Sequence, residues 1–169
     1  MTGQALCIEP MASADIDEAV SLISRAMNPS EGRWAHKTMQ YHFNCLKHEI
    51  DDGRSYYVWK QAGRLCGLVG LHHYLWGPEQ SVWLSWFAVE PSLQRKGRGA
   101  ALLAAIERIA LEQGYRRFLV ETYGQQDFDK ARAFYLSQGF AEVGRISDYI
   151  GDGSDMVVYR KELDPGRQT

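Results

Sequence analysis

The sequence predicts one layered domain that mixes helices with strands, in the α/β or α+β class. Three observations carry this. The 169 residues suffice for about one domain with a real core. Composition is that of a globular chain, 45% hydrophobic and 24% charged, which argues against wholesale disorder, a collagen repeat or a coiled-coil rod. Hydrophobic periodicity then alternates along the chain between strand-like runs and helical spacing. Those segments amount to about seven strands, mostly antiparallel, and about four helices. They fill a single domain over residues 4–164, with 1–3 and 165–169 as loose ends.

Ala5 to Glu9 reads as a short first strand. Ser13 has the chemistry of a helix N-cap, and Asp15, Asp17 and Glu18 suit the positive end of the helix dipole. Ile16, Ala19, Val20, Ile23 and Met27 recur at helical spacing. Asn28-Pro29-Ser30-Glu31-Gly32 is expected to break that helix, and a second helix to run from about Lys37 to Ile50. The period then changes to that of a three-stranded meander. Ser55–Gln61 and Leu65–Trp76 are joined by a turn at Ala62-Gly63, and Val82–Val89 is the third arm, stopped by Pro91. Gly99–Gln113 is the clearest helix, with Leu102, Leu103, Ile106, Ile109 and Ala110 on one face and Gly114 as its stop. Phe118–Thr122 is the next strand. Asp127 or Asp129 caps a helix carrying Ala131, Phe134, Tyr135 and Gln138, and Phe140–Ile146 and Met156–Leu163 close the chain.

Charge and composition exclude several classes of function. Nineteen Lys and Arg against 21 Asp and Glu give a net charge of −2, without the basic excess of a duplex binder, so no nucleic-acid partner is expected. No apolar run is long enough for a membrane span, and Met1–Leu6 lacks a basic region leading into an apolar core, so no membrane segment or secretory signal is expected. Cys7, Cys45 and Cys66 are odd in number and form no CxxC, which reads as reduced thiols in a cytoplasmic protein. His36, His42 and His48 do not stack on one helical face and have no carboxylate at metal-ligand spacing, so no metal is expected.

The stretch Leu84-Ser85-Trp86-Phe87-Ala88-Val89-Glu90-Pro91-Ser92-Leu93-Gln94-Arg95-Lys96-Gly97-Arg98-Gly99 carries chemistry. A strand ends, a turn follows, and glycines open a long helix. The first N–H groups of a helix lack intrahelical partners and point outward at the positive end of its dipole, a ready anion site. Gly97 and Gly99 let a phosphate approach the backbone, and Arg95, Lys96 and Arg98 add positive charge. A Walker-A loop is absent, and the preceding antiparallel strands do not suit a dinucleotide fingerprint.

Gln94-Arg95-Lys96-Gly97-Arg98-Gly99 resembles the Q/R-x-x-G-x-G/A signature of the GNAT superfamily of acetyl-CoA-dependent N-acetyltransferases. The Phe87-Ala88-Val89-Glu90-Pro91 strand end, Glu121-Thr122, Ala131-Arg132-Ala133-Phe134-Tyr135 and Gly139-Phe140 follow the same order and spacing. The resemblance is strong from about Val82 to Leu163 and weaker over the first fifty residues. It implies a sheet splayed in the middle, between the strand ending at Val89 and the strand Phe118–Thr122. The pantetheine arm of acetyl-CoA would lie there against Phe87, Ala88 and Val89, with Phe134 also touching the cofactor. The pyrophosphate would sit on the turn from Gln94 through Arg95, Lys96, Gly97, Arg98 and Gly99 to Ala100. A backbone N–H near Phe87 would face the thioester oxygen.

The same resemblance implies direct attack of a neutral amine on the thioester. Tyr135 matches the family position that donates to the CoA sulfur. Some relatives carry a glutamate eleven residues before the motif Gln, where this chain has Trp83, so Glu121 is the candidate base. Trp34, Trp86, Thr122 and Tyr149 are candidates for the acceptor wall. Trp83 and Trp86 would face opposite sides of a regular strand, unless a bulge intervenes, as would His72 and His73. Asp148, Asp152 and Asp155 suit turn chemistry, with attraction of a cation as the alternative. The expected function is acetyl transfer from acetyl-CoA to a primary amine of a small molecule or peptide, by a monomer or homodimer. The competing readings are a non-catalytic acyl-CoA sensor on the same fold and a nucleotide binder.

Overall fold

The structure, a computed structural model, describes residues 6–164 and residue 166. Of the expected loose ends, 1–3, Pro165 and 167–169 lie outside the described residues. In order come β1 (Glu9–Pro10), α1 (Ile16–Ala26), α2 (Pro29–Lys47), β2 (Arg54–Gln61), β3 (Arg64–His72), β4 (Ser81–Val89), α3 (Arg98–Glu112), β5 (Arg117–Tyr123), α4 (Asp129–Ser137), β6 (Ala141–Ile146) and β7 (Met156–Glu162). The seven strands form one sheet in the order β1-β2-β3-β4-β5-β7-β6. All neighbours are antiparallel except β4 and β5, which the α3 crossover makes parallel.

Apolar faces on both sides of the sheet set the layers. On one side Leu102, Leu103, Ile106 and Ala110 of α3 are buried with Val69, Leu71, Val82, Leu84, Phe118, Val120 and Tyr135. On the other, Ala19, Leu22 and Ile23 of α1 and Ala35 and Met39 of α2 are buried with Tyr56, Val58, Leu68 and Ala88. The expected apolar face of α3 is therefore the packed one, and only Ile109 stays partly buried.

Helix α2 ends at Lys47 rather than Ile50, Ser13 lies in a 3-10 turn before α1 instead of capping it, and Phe128, not an Asp, holds the N-cap position of α4. Three other boundaries differ more. The stretch expected to break a helix instead starts one. The Asn28 side chain accepts a hydrogen bond from the Glu31 N–H at 3.0 Å and Pro29 fills the first helical turn, so α2 begins eight residues before Lys37. Only Glu9 and Pro10 pair as β1, opposite Val58 and Tyr57, rather than Ala5–Glu9, of which Ala5 lies outside the described residues. Strand β3 stops at His72 rather than Trp76, because β2 begins at Arg54, its partner, and offers no strand beyond. Tyr74 and Trp76 instead stack on each other in the following loop, 5.6 Å between ring centres.

One irregularity places the site. Leu84 pairs with Leu71 and Phe87 with Val69, so Ser85 and Trp86 together oppose the single Gly70. This bulge turns the end of β4 over. Val82 and Leu84, then Phe87 and Val89, pack on the α3 side, whereas Trp86 and Ala88 pack on the α2 side. Trp86 thus joins Trp83 on one face, the outcome expected only with a bulge. Its indole Nε1 donates to Thr38 Oγ1 of α2 at 2.8 Å.

Candidate active site

The pairing of β4 with β5 ends at Trp83 and Leu119, and beyond it the strands diverge. On the other side of β4, Phe87, Ala88 and Val89 stay paired to Val69, Leu68 and Gly67. The sheet therefore holds these three residues firmly on one edge and leaves the other edge facing a gap, where an extended ligand can find backbone partners.

Past Val89, a 3-10 turn at Pro91–Leu93 leads into a loop in which Arg95 (φ 57°) and Gly97 (φ 73°) are left-handed. That conformation is easy for glycine and costly for most side chains. A Cβ on Gly97 would meet nothing within 4 Å, so the turn is open there. The first intrahelical bond of α3 runs from Ala101 N–H to the Gly97 carbonyl at 3.0 Å. The N–H groups of Arg98, Gly99 and Ala100 precede it and have no helical acceptor, which is the geometry of an anion site.

The side chains of this turn have different tasks. Gln94 Nε2 donates to the Val89 carbonyl at 3.0 Å, bracing the loop on the strand end. Lys96 Nζ donates to the Ser92 carbonyl at 2.9 Å. The Arg98 guanidinium lies 5.7 Å over the Trp59 ring. Arg95 stands exposed. Phe134 of α4 stacks on Phe87 at 5.7 Å, and the missing Cβ of Gly99 would lie 3.5 Å from its ring. So α3, the end of β4 and α4 converge on one side of the gap.

Tyr135 is buried beside them, edge-on to Phe134 and Phe140. Burial pushes its phenol pKa up, so at neutral pH it keeps its proton and has an O–H to donate.

The opposite side of the gap is acidic and aromatic. Phe118 and Val120 of β5 face the α3 core, which turns Leu119, Glu121 and Tyr123 to the α2 side. Two residues past the last β4–β5 pair, Ser85 and Glu121 occupy the two lips of the gap on that face. Glu121 is reachable by solvent, yet its surroundings desolvate it enough to raise its carboxyl pKa. Burial likewise raises Glu31 of α2. Burial also raises the Tyr123 hydroxyl, and the charges of Glu121, Glu31 and Tyr149 all add to the effect, which brings these groups to one recess. Tyr74 is raised by burial and by Glu121, and its ring lies 5.8 Å from Trp83.

Of the remaining sequence candidates, Tyr149 stays by the recess, acting on Tyr74 and Tyr123, and Thr122 and Trp34 separate from it. Thr122 is buried on the α3 side, away from Glu121. Trp34 is exposed on α2 with Lys37 Nζ 4.5 Å over its ring. Tyr149 is exposed in the β6–β7 hairpin. There Asp148, Asp152 and Asp155 accept bonds from Gly153, Ser154 and Asp148 N–H groups, which is turn chemistry. His73 Nδ1 sits 3.2 Å from the Ser81 carbonyl and supports the fold. His72 lies half-buried on the recess face, its pKa lowered by desolvation to about 4, so it is neutral at pH 7. Sequence reasoning missed Glu31, Tyr74 and Tyr123. Only Tyr123 left a signal, since it shares a strand face with Glu121 two residues away.

Cys7 is exposed, Cys45 and Cys66 are buried, and all three are free thiols. Among the described residues no group of three His, Cys, Asp or Glu side chains could hold a metal ion. Among them, too, no helix is long and apolar enough to cross a membrane.

The whole arrangement recurs in known proteins. The chain superposes on a protein assigned to the GNAT family from Desulfovibrio desulfuricans with TM-score 0.83 at 23% identity, over 95% of this chain and 100% of that one. An aminoglycoside 6'-N-acetyltransferase complexed with coenzyme A superposes with TM-score 0.74 at 15% identity, over 96% and 100%. The ribosomal-protein-S18-alanine N-acetyltransferase from Escherichia coli superposes with TM-score 0.71 at 21% identity, over 96% and 97%. At such identities these likenesses speak for the fold alone. No curated protein sequence matches the chain. The sequence profile of the acetyltransferase (GNAT) family matches residues 19–140, a span that takes in the bulged strand, the open turn and α4 up to Phe140. With the splayed sheet and that span in agreement, this chain belongs to the GNAT family of acetyltransferases, which draw on acetyl-CoA.

Proposed function

We propose that the protein transfers the acetyl group of acetyl-CoA directly to a primary amine of a small molecule or peptide, with both substrates bound together. The observation that carries this is Glu121, a carboxylate of raised pKa on the lip of the β4–β5 gap, next to an aromatic recess at Tyr123 on which the charge of Glu31 also acts. A cationic amine complements that recess by charge and by cation–π contact. The aminoglycoside and protein-alanine acetyltransferases that share the fold both act on amines.

The residues divide the work. The N–H groups of Arg98, Gly99 and Ala100, with Arg95, take the pyrophosphate. The free edge of Phe87, Ala88 and Val89 pairs with the pantetheine arm, and an N–H near Phe87 steadies the charge that develops on the thioester oxygen. Glu121 takes the ammonium proton, and its raised pKa makes it the stronger base. The amine nitrogen then bonds to the acetyl carbon as the carbon–sulfur bond breaks, and the surplus proton on that nitrogen passes to the departing sulfur, so the products are the amide and the free thiol. Tyr135 donates a hydrogen bond to the departing sulfur. A thiolate whose thiol has a pKa near 8.5 is a weaker base than a buried phenolate, so Tyr135 stabilises the thiolate without giving up its own proton.

The test is thiol release from acetyl-CoA across a panel of primary amines, for the wild type and Tyr135→Phe. Amine-dependent release is expected, with kcat about tenfold lower in the variant, within the range of a lost charge-assisted hydrogen bond. Tight CoA binding with no release on any amine would replace this reading with a non-catalytic acyl-CoA binder. A thermal shift larger with ATP or NAD than with CoA would reassign the turn.

A further inference from the structure

Tyr56 is the observation that the acetyl-transfer reading does not absorb. Its side chain starts on β2 opposite Gly70 of β3. A Cβ on Gly70 would stand 2.7 Å from Tyr56 Cδ1 and 3.1 Å from Ser85 Cβ. The ring therefore lies across β3 over the bare backbone of Gly70 and reaches the β4 bulge, and only glycine leaves it that lane. The residue is 3% exposed, and Tyr56 Oη is a buried side-chain polar atom without any hydrogen-bond partner. The hydroxyls of Thr38 and Ser85 are near enough to ease its ionisation, though neither closes a hydrogen bond to it. Thr38 is already engaged, accepting from Trp86 and donating to the Ala35 carbonyl at 3.1 Å. A buried hydroxyl left unpaired is costly, and native proteins rarely keep one without a use.

Its place gives the use. The hydroxyl is directed from β2 toward Ser85, and Ser85 is the lip of the gap that faces Glu121. One lip is thus anionic and the other carries neutral hydroxyls. We infer that Tyr56, with Ser85, forms a subsite for an oxygen carried by the acceptor close to its amine, so that the preferred acceptors are oxygen-bearing amines such as amino alcohols and amino amides. The ammonium goes to Glu121, and the neighbouring oxygen, seated at Ser85, takes the hydrogen bond of Tyr56 Oη, which packing closes to solvent until the acceptor enters. This rests on the acetyl-transfer reading and adds the chemistry of the acceptor to it.

Matched amines test it: 2-aminoethanol against propylamine, and alaninamide against 3-methylbutan-2-amine. Each is assayed by thiol release with wild type and Tyr56→Phe, alongside the melting temperature of each protein. For the wild type, kcat/KM is expected to be about tenfold higher for the oxygen-bearing member of each pair, the value of one well-placed hydrogen bond. Tyr56→Phe is expected to erase that preference with KM for acetyl-CoA unchanged. Its melting temperature should stay level or rise, because an unpaired buried hydroxyl has been removed. A preference that survives in Tyr56→Phe overturns the inference, as does a wild type that favours the alkyl amines or acetylates neither pair. A lower melting temperature with the preference intact assigns Tyr56 a structural role and also overturns it. Failure of acetyl transfer itself looks different, because then no amine of any kind releases thiol.

Discussion

The two sides of the β4–β5 gap are built from different materials. On the α3 side the site is mostly backbone: the unpaired edge of Phe87–Val89, the open turn at Gly97 and the first N–H groups of α3. On the α2 side it is all side chains: Glu31 from α2, Tyr56 from β2, Tyr74 from the loop after β3, Ser85 from β4 and Glu121 and Tyr123 from β5. Backbone binding constrains local geometry and tolerates many side chains. Side-chain binding constrains identity at scattered positions. One half can thus stay constant while the other is refitted to a new acceptor.

Substitutions can break that division or sharpen it. The largest effect is expected from Glu121→Gln, which removes the proposed base and leaves the shape. It should lower kcat about a hundredfold, the low end for a general base, with KM for acetyl-CoA unchanged. A comparable rise in that KM would show that the halves are not separate. In the wild type, kcat/KM should climb with pH through the raised Glu121 pKa, and Glu121→Gln should lose that limb.

Gly97→Glu comes next, acting on the other half. It strains a left-handed residue and sets a negative charge against the pyrophosphate. CoA binding should weaken more than tenfold, over about 1.4 kcal/mol by titration calorimetry, in a protein that still folds. Near-wild-type affinity would move the phosphate elsewhere.

The smallest effect concerns His72, on the recess face. Its folded pKa of about 4 lies below the ordinary 6.5, so between those values the unfolded chain holds more protons. Its contribution to stability is therefore intact above pH 6.5 and is lost as pH falls toward 4. Urea midpoints should show His72→Gln losing less stability across that window, by about 1 kcal/mol once solvent screening of the half-exposed ring is counted. Equal losses would place the acid-sensitive group elsewhere.

This contrast also explains what the sequence revealed. Backbone sites need glycines and a helix start in one contiguous run, so Gln94 to Gly99 was legible, and α3 followed to within a residue at each end. Glu121 was legible because it ends a strand beside the expected gap. Glu31 was hidden inside a stretch that looked like a break, since Asn-Pro serves as well to begin a helix as to end one. Tyr56 and Tyr74 reach the site only through a sheet register and a loop stack, and neither leaves a spacing in the chain. The bulge at Ser85 is equally silent, because one unpaired residue has no composition of its own.

That bulge gives β4 a spare residue. Removing Ser85 would restore plain alternation and leave Trp86 on the α2 side and Phe87 on the α3 side, where they already pack. Phe87 would keep Phe134, Trp86 would keep Thr38, and only the lip hydroxyl would go. A one-codon loss is absorbed at this point, whereas in a regular strand it throws every following side chain onto the wrong face. Length can therefore vary by one residue between Leu84 and Phe87, while the paired stretches on either side permit no change.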